Sequence, residues 1–488
     1  MIHKPERRLF ITLPTLVLLA VGLVLILRPA DMTYLDLLRQ GDEHATRVER
    51  TAAVAAYQEA TRLRPGDPAP HLRLAQVYLE WGRTDDALST VAEAKRLGAE
   101  EAALERLWTT IYAARADWPA VVEHAQRLLA LTPADGSTEL AKVPDDANAA
   151  RHARARAYVE LREWDAARAE YQALLHADST DPVAHERLGA LLLGDDPAAI
   201  QHLFSARTDL ADRLLMAFGE ADAVDDPAYA SALLGRTLFE AQEWVLAAHQ
   251  FERALSYNPD YPDAHAYLGY ALDQMGRPDE AWPHLQQAIT LAPDAPVAHI
   301  FLGLHYDRQG DFSSARAEYE TAYDLDPANP ATCVEIGQTW AAEGRYVAAE
   351  IWLREAVSLQ PDDPALWGVL ARFYLDHNIT TEEQGVEAAA ELVRLSPDDA
   401  HAHDLRGWVA FQVGDYDTAE SSLLRAISLD PMLALAHYHL GRLRAAQGAY
   451  QEAREPFIRA LDLDTTGELA PLIEQAMMDY SNSSRSSP

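Results

Sequence analysis

Apolar residues recur at intervals of three and four positions along most of this 488-residue chain, with polar residues between them. That spacing places the apolar side chains on one face of an α-helix. A glycine or a proline interrupts the pattern at regular distances, and between Pro262 and Asn329 the interruptions repeat every 34 residues. Each period therefore predicts a helix, a tight turn, a second helix and a short connector.

The two 34-residue segments 262–295 and 296–329 carry matching residue types at corresponding positions. We call each set of corresponding positions a column. Small residues let two helices approach closely, the glycine at the turn leaves the first helix through the left-handed region, and the proline ends the second helix. An isolated hairpin cannot bury its apolar face, so we predict that consecutive hairpins stack. The matching pairs are Leu268-Gly269 with Leu302-Gly303, Gly276 with Gly310, Ala281 with Ala315, Ala288 with Ala322, and Pro293 with Pro327.

These columns resemble those of the tetratricopeptide repeat (TPR) family. The resemblance implies an all-α fold, a right-handed α-solenoid of about twelve TPR helical hairpins whose first helices line a concave groove. In that family, extended or helical peptides usually bind in the groove. A capping helix is expected at the C-terminal end, because the last hairpin would otherwise expose its apolar face.

The first half of the chain follows the 34-residue pattern only approximately, whereas the second half follows it closely. We therefore divide the chain after the first 33 residues into five segments. They are a degenerate TPR array at 34–213 with a loop at 136–147, an irregular connector at 214–227, a regular TPR array at 228–467, a capping helix at 468–480 and a disordered tail at 481–488. Where the first array meets the connector, the pattern at Asp209–Gly219 predicts either an additional helix or a distorted half-repeat.

The beginning of the chain carries a different pattern. Residues 1–8 are basic, and residues 9–27 contain no charged side chain. As a helix, this apolar run would span roughly 29 Å, which is about one hydrocarbon core. We predict an uncleaved transmembrane signal anchor. The basic residues before it favour a single-pass protein of the bacterial cytoplasmic membrane with its repeats on the extracytoplasmic side.

Charge and cysteine content exclude several classes of partner and site. The chain has 76 acidic and 41 basic residues, a formal charge of −35. Such a surface repels phosphate backbones, so we expect no nucleic acid partner. The chain contains one cysteine, Cys333, which excludes an intramolecular disulfide bond and a thiolate metal cluster.

Histidines are the residues that most suggest a metal or catalytic site. His401 and His403, like His437 and His439, are two apart and so point to nearly opposite sides of a helix. Six histidines share the fourth position of their repeats, which predicts a packing role: His71, His185, His265, His299, His403 and His437. Phosphate-loop, dinucleotide, zinc-protease and serine-hydrolase motifs are absent from the sequence. We expect no catalytic residue, metal, cofactor or small-molecule substrate, and hence no enzyme.

The TPR resemblance also identifies candidate partner-binding residues. Asp263, Ala266, Tyr267 and Tyr270 stand where family members that grip chaperone tails carry Lys, Arg and Asn, so that clamp is missing. Groove aromatics are either partner anchors or packing contacts between first helices, and the sequence leaves both alternatives open. Carried over position by position, the groove set is Tyr267, Tyr270, Asp273, Phe301, Asp307, Arg308, Glu335, Gln338, Arg372, Trp408, Phe411, Tyr438 and Arg442.

The sequence therefore predicts a scaffold. The protein would be tethered to the membrane through residues 9–27 and would bind protein or peptide partners in its groove, without catalysis of its own. The alternative is an accessory subunit of an envelope enzyme or of a polysaccharide or protein export system.

Overall fold

A computed structural model describes residues 29–131, 144–379 and 381–483. Within these residues it contains helices and no strand. The helices before residue 227 are α1 (Pro29–Thr46), α2 (Arg50–Leu63), α3 (Ala69–Glu80), α4 (Thr84–Arg96), α5 (Glu101–Ala114), α6 (Trp118–Leu131), α7 (Pro144–Glu160), α8 (Trp164–Ala177), α9 (Pro182–Leu192), α10 (Ala198–Ala206) and α11 (Asp209–Asp222).

The second half of the chain is more regular than the first. One π-helical turn, Thr381–Gly385, lies between α20 and α21. The helices are α12 (Pro227–Glu240), α13 (Trp244–Tyr257), α14 (Pro262–Gln274), α15 (Pro278–Leu291), α16 (Pro296–Arg308), α17 (Phe312–Leu325), α18 (Pro330–Ala342), α19 (Tyr346–Leu359), α20 (Pro364–His377), α21 (Val386–Leu395), α22 (Ala400–Gln412), α23 (Tyr416–Leu429), α24 (Ala434–Ala446), α25 (Tyr450–Leu463) and α26 (Leu469–Ser483).

The described helices form twelve hairpins that stack in chain order. Hairpins 1–5 are the successive pairs from α1 to α10, and hairpins 6–12 are the successive pairs from α12 to α25. Helix α11 has no hairpin partner and lies between hairpins 5 and 6, while α26 packs on hairpin 12. The predicted all-helical, solenoid-like arrangement is confirmed.

Close approach of the two helices depends on the small-residue columns. In hairpin 7, a Cβ atom added to Gly269 would lie 2.6 Å from Cγ of Leu285, so only glycine fits there. Ala281 is fully buried on the facing helix. Gly276 ends the first helix with φ of +71°, a conformation that costs glycine little. These local constraints are repeated along the array, which explains why it stacks regularly.

The array curves with its first helices on the inside. Consecutive first helices contact each other, as α14 contacts α16 and α22 contacts α24, whereas consecutive second helices make no comparable contact among the described residues. The helices that touch must lie on the shorter, inner side of the curve. We call the surface formed by the first helices the inner groove.

Three predicted boundaries are wrong. The connector at 214–227 is helical as far as Asp222, because α11 continues the apolar spacing of Leu210, Leu214 and Phe218. The loop at 136–147 overlaps α7, which begins at Pro144. Helix α26 runs to Ser483, three residues into the predicted tail, and the rest of that tail lies outside the described residues.

The predicted signal anchor at 9–27 also lies outside the described residues. Within the part that is described, no helix combines the length and the apolar character needed to cross a bilayer.

Candidate functional site

The centre of the inner groove holds an aromatic cluster built from three consecutive first helices. The ring of Phe301 lies 4.7 Å from Tyr270, 5.2 Å from Tyr267 and 6.0 Å from Phe239, measured between ring centroids. These rings are half-buried. Aromatic pairs at such distances contribute about 0.5–1.5 kcal/mol beyond the burial of their area. The cluster therefore joins hairpins 6, 7 and 8.

Sequence reasoning missed two members of this cluster. Phe239 contacts Tyr267 and Tyr270, and Trp244 at the start of α13 lies 5.3 Å from Phe239. Phe239 occupies the column that holds Asp273 and Asp307 in the next two repeats. The sequence could have identified Phe239 through this shared column, because a groove position is defined by its place in the repeat and not by residue type.

Asp273 is not an open groove residue, which corrects the sequence prediction. Its carboxylate lies 2.9 Å from Nδ1 of His305, and both side chains are 3% exposed. Burial raises the pKa of Asp273, and the hydrogen bond to His305 opposes that rise. The pair joins α14 to α16 and so serves the stacking of hairpins 7 and 8. A similar pair, Asp404 and His439 at 2.8 Å, joins hairpins 11 and 12.

The candidates near the C-terminal end pack mainly against each other. Trp408 stacks between Phe411 and His439, with ring centroids 4.8 and 4.2 Å away. Tyr438 is 5% exposed and belongs to the apolar core of the last hairpin, which favours the packing alternative for this residue. Its hydroxyl accepts a 2.8 Å hydrogen bond from Arg442.

Gln338 and Arg372 lie together at a cavity between hairpins 9 and 10. The cavity has a volume of about 610 Å³ and is lined by Gln338, Ala341, Ala342, Leu353, Ala365, Gly368, Val369, Arg372, Phe373, Asp376 and His377. A Cβ atom added to Gly368 would make ordinary van der Waals contact with Leu392, at 3.8 Å. Gly368 and the three alanines of the lining carry little side-chain volume, which leaves room for the cavity.

Two half-buried carboxylates stand between the aromatic cluster and this cavity. Burial raises the pKa of Glu335 to about 7, and the negative charge of Asp307 adds to the rise. Burial also raises the pKa of Asp307, although the Arg308 guanidinium acts in the opposite direction. Arg308 itself is exposed and lies 5.2 Å from the Tyr270 ring centroid.

The fourth-position histidines have a definite structural role. Nε2 of His265, His299, His403 and His437 lies 2.9–3.1 Å from the carbonyl oxygen of the proline six residues earlier. Trp367, in the same column, donates its indole N–H to the Pro361 carbonyl at 2.8 Å. Four of the six histidines in this column therefore satisfy a proline carbonyl of the connector, and Nε2 of His185 lies 3.1 Å from the Ser179 carbonyl oxygen in the same way. Cys333, in the same column, is buried. Among the described residues, no three His, Cys, Asp or Glu side chains are grouped to hold a metal ion.

Comparison with solved structures finds several similar proteins, all with low sequence identity. Yeast Tom70 is 14% identical, covers 92% of this chain and 97% of its own, and has a TM-score of 0.41. The APC/C heterotetramer Cut9-Hcn1 is 15% identical, with 94% and 99% covered and a TM-score of 0.37. PilF of Pseudomonas aeruginosa is 18% identical, with 47% and 98% covered and a TM-score of 0.38. No curated protein matches the chain.

Family models agree with the repeats seen in the structure. Two models, both described as tetratricopeptide repeat, match segments spread from hairpin 1 to hairpin 12. The matched residues are 49–108, 152–209, 232–296, 308–373, 383–431 and 405–468. Together they take in more than half of the sequence. The chain therefore belongs to the tetratricopeptide repeat family.

Proposed function

We propose that this protein is a scaffold that binds protein or peptide partners in its inner groove and catalyses no reaction itself. Repeats of this family generally mediate such interactions. The recurring side chains of the array have packing roles, as the glycine, alanine and fourth-position histidine columns illustrate. The side chains that vary between repeats are therefore the ones available for a partner.

The cavity between hairpins 9 and 10 is the observation that supports this function best. Most of its lining residues are apolar, and Gln338, Arg372 and Asp376 are among the polar ones. An apolar depression with a few polar groups suits the side chain of a bound peptide better than it suits a stacking neighbour. The cavity lies beside the carboxylates and the aromatic cluster, so a partner lying along the groove would meet apolar and charged surfaces in succession.

We further propose that residues 9–27 tether the scaffold to the bacterial cytoplasmic membrane, with the repeats on the extracytoplasmic side. The support is the uncharged run itself, preceded by Lys4, Arg7 and Arg8. Tethering would confine partner binding to the membrane surface.

A cavity-filling variant tests the binding function. Gly368→Leu would add a large side chain to the cavity lining, and its Cβ atom would make only ordinary contact, with Leu392 at 3.8 Å. A photo-activated cross-linking residue at Arg372 would be used in intact membranes, and the captured proteins identified by mass spectrometry. We expect capture by the otherwise unaltered chain and a several-fold loss with Gly368→Leu.

Gly219→Leu is the matched control, since Gly219 lies on α11 and an added Cβ meets no atom within 4 Å. Equal capture by all three proteins would contradict binding in the inner groove. Repeated capture of one enzyme would favour the accessory-subunit role, and capture of varied proteins would favour the scaffold.

A further inference from the structure

Two tyrosines occupy the same column in hairpins 1 and 8. Tyr57 and Tyr319 are 2% and 0% exposed. Each ring covers a glycine of the facing helix: a Cβ atom would lie 2.3 Å from Cε1 of Tyr57 at Gly41, and 2.4 Å from Cε1 of Tyr319 at Gly303. The two hydroxyls therefore lie at equivalent positions of the inner groove. Tyr57 lies where hairpin 1 meets hairpin 2, and Tyr319 lies where hairpin 8 meets hairpin 9.

Between hairpins 1 and 2, the polar groups at this place are all paired. The Tyr57 hydroxyl donates a 2.6 Å hydrogen bond to Oδ1 of Asp42. Nε of Arg73, from the first helix of hairpin 2, donates to the same oxygen at 3.0 Å. A buried donor, a carboxylate and a cation thus satisfy one another.

The equivalent place between hairpins 8 and 9 has a different charge pattern. Glu335 stands in the column of Arg73, and Leu304 stands in the column of Asp42. Asp307 adds a second carboxylate one turn further along α16. The junction therefore holds two acids, and an acid stands in the column where hairpin 2 has a base. The nearby Arg308 is exposed and lies 5.2 Å from the Tyr270 ring centroid.

Polar groups at this junction have no partner within the part of the chain that the structure describes. The Tyr319 hydroxyl is enclosed by protein and makes no hydrogen bond there. Neither carboxylate, on Asp307 or Glu335, makes a side-chain hydrogen bond or an ion pair among those residues. A buried hydroxyl normally finds a partner, and half-buried carboxylates are costly unless they are paired.

The three groups are close enough to affect one another electrostatically. Burial raises the pKa of the Tyr319 hydroxyl, and the charges of Glu335 and Asp307 add to that rise, while Arg308 opposes it. The Asp307 charge likewise raises the pKa of Glu335. The Tyr319 hydroxyl therefore lies within electrostatic range of both carboxylates, in the column where the Tyr57 hydroxyl binds Asp42.

We propose that Asp307 and Glu335 together receive the guanidinium or ammonium group of a basic side chain in the bound peptide. The inference rests on the proposed function, and it supplies the chemistry of the partner. The incoming cation takes the role that Arg73 has between hairpins 1 and 2. The Tyr319 hydroxyl then donates to the carboxylate of Glu335.

A basic peptide fits this junction better than a metal ion does. Ca²⁺ and Mg²⁺ need about six or more oxygen ligands, whereas a guanidinium group is satisfied by two carboxylates that it meets edge-on. The formal charge of −35 attracts basic chains to the surface. The neighbouring aromatic cluster offers apolar contact for the residues beside the basic one.

Binding would be tested on the full chain, reconstituted in lipid nanodiscs, with fluorescein-labelled pools of ten-residue peptides. The pools are randomised except at one central position, which is fixed as Arg, Lys, Gln or Glu. Fluorescence anisotropy gives the affinity for each pool. We expect the Arg and Lys pools to bind about tenfold more tightly than the Gln pool, as a charge-assisted hydrogen-bonded pair would give.

Three variants locate the effect. Glu335→Gln with Asp307→Asn should remove the preference for basic pools. Glu335→Arg, which restores the residue type of hairpin 2, should shift the preference to the Glu pool. Glu320→Gln, an exposed carboxylate on α17 of the same hairpin, removes one charge elsewhere and should keep the wild-type preference. Circular dichroism would show that each variant is folded.

Each outcome decides between the two proposals. Equal binding of all pools, or a basic preference that survives the double substitution, would overturn this inference and leave groove binding intact. Failure of every pool to bind would contradict the proposed function as well. Calorimetric titration with CaCl₂ is the remaining comparison: saturable calcium binding that is lost in Glu335→Gln would show a metal site instead.

Discussion

The backbone amide of Thr51 donates a 2.7 Å hydrogen bond to the carboxylate of Asp462, a residue 411 positions later in the chain. Two further hydrogen bonds of 2.9 Å accompany it, from the Trp81 indole to the Leu461 carbonyl and from Arg459 to the Val48 carbonyl. Helix α25 of the last hairpin thus contacts the first two hairpins. The stack returns on itself, which constrains the curvature of the inner groove.

Removing the Asp462 carboxylate should open this contact. Asp462 is 3% exposed, so Asp462→Ala leaves the Thr51 amide without its acceptor and should destabilise the junction by about 1–3 kcal/mol. We expect a larger radius of gyration by small-angle X-ray scattering, with unchanged helical content. Asp324→Ala, which removes an exposed carboxylate at the end of α17, is the control. An unchanged scattering curve would mean that the other contacts hold the ends together.

Stability should depend on pH through Glu335. Its pKa rises from 4.5 to about 7 on folding. The stability associated with its protonated form is complete below pH 4.5 and is lost as the pH rises through 7. Glu335→Gln should therefore be more resistant to urea than the wild type at pH 8, by about 1–3 kcal/mol after allowance for partial exposure, and the difference should shrink at pH 5. The same difference at both pH values would exclude titration of Glu335 in this range.

The same shift gives a second pH effect, on binding. A basic side chain at the Asp307–Glu335 pair favours the ionised carboxylates, so the affinity for the Arg pool should rise between pH 6 and pH 8. Glu335→Gln should flatten this dependence. The Gln pool serves as the control, because its binding does not require ionised carboxylates. A rise of equal size for both pools would assign the effect to another group.

Phe301 should contribute to peptide binding as well as to the packing of the cluster. Phe301→Leu keeps an apolar side chain at the centre of the cluster but removes three aromatic contacts within the chain. We expect peptide affinity to fall about threefold to tenfold, because the peptide would also lose an aromatic contact of about 0.5–1.5 kcal/mol, with little change in circular dichroism. Tyr257→Leu, at a 52% exposed aromatic on a second helix, should leave affinity unchanged. A large loss of helicity in Phe301→Leu would make the cluster a packing feature alone.

The fourth-position column should tolerate Trp but not Ala. His403 donates to the Pro397 carbonyl at 2.9 Å, as Trp367 donates to Pro361 at 2.8 Å. His403→Ala should lower the free energy of unfolding by about 0.5–1.5 kcal/mol, and His403→Trp should recover most of that loss. Thermal unfolding of the three proteins measures both effects. An equal loss of stability in the two variants would show that His403 contributes through the packing of its ring and not through its hydrogen bond.

Deletion of residues 1–28 should release the protein from the membrane. These residues include the proposed anchor, and the described hairpins begin after them. We expect the shortened chain to appear in the soluble fraction with the helical signal of the array, while the full chain sediments with membranes. An insoluble, unfolded product would assign the apolar run to the fold instead of to the bilayer.

Much of the architecture follows from short-range information. Gly269, Ala281 and Leu285 meet within one hairpin, and the residue type in each column is dictated by contacts inside 34 residues or with the adjacent repeat. Because those constraints recur, the sequence alone determined the helices, the hairpins and their stacking. Its boundaries were wrong where the repeat is irregular: the additional helix expected at Asp209–Gly219 is present as α11, but it runs on to Asp222, into the predicted connector.

Tertiary structure decided which groove positions are open. Asp273 and Tyr438 stand in groove columns, yet one pairs with His305 and the other lies in the core. A column defines the side of the helix that a residue occupies, but the side chains of the next hairpin decide whether that side is covered. The contact of Thr51 with Asp462 depends on the summed rotation of twelve hairpins. No single repeat encodes that sum, so only the folded chain shows where its two ends meet.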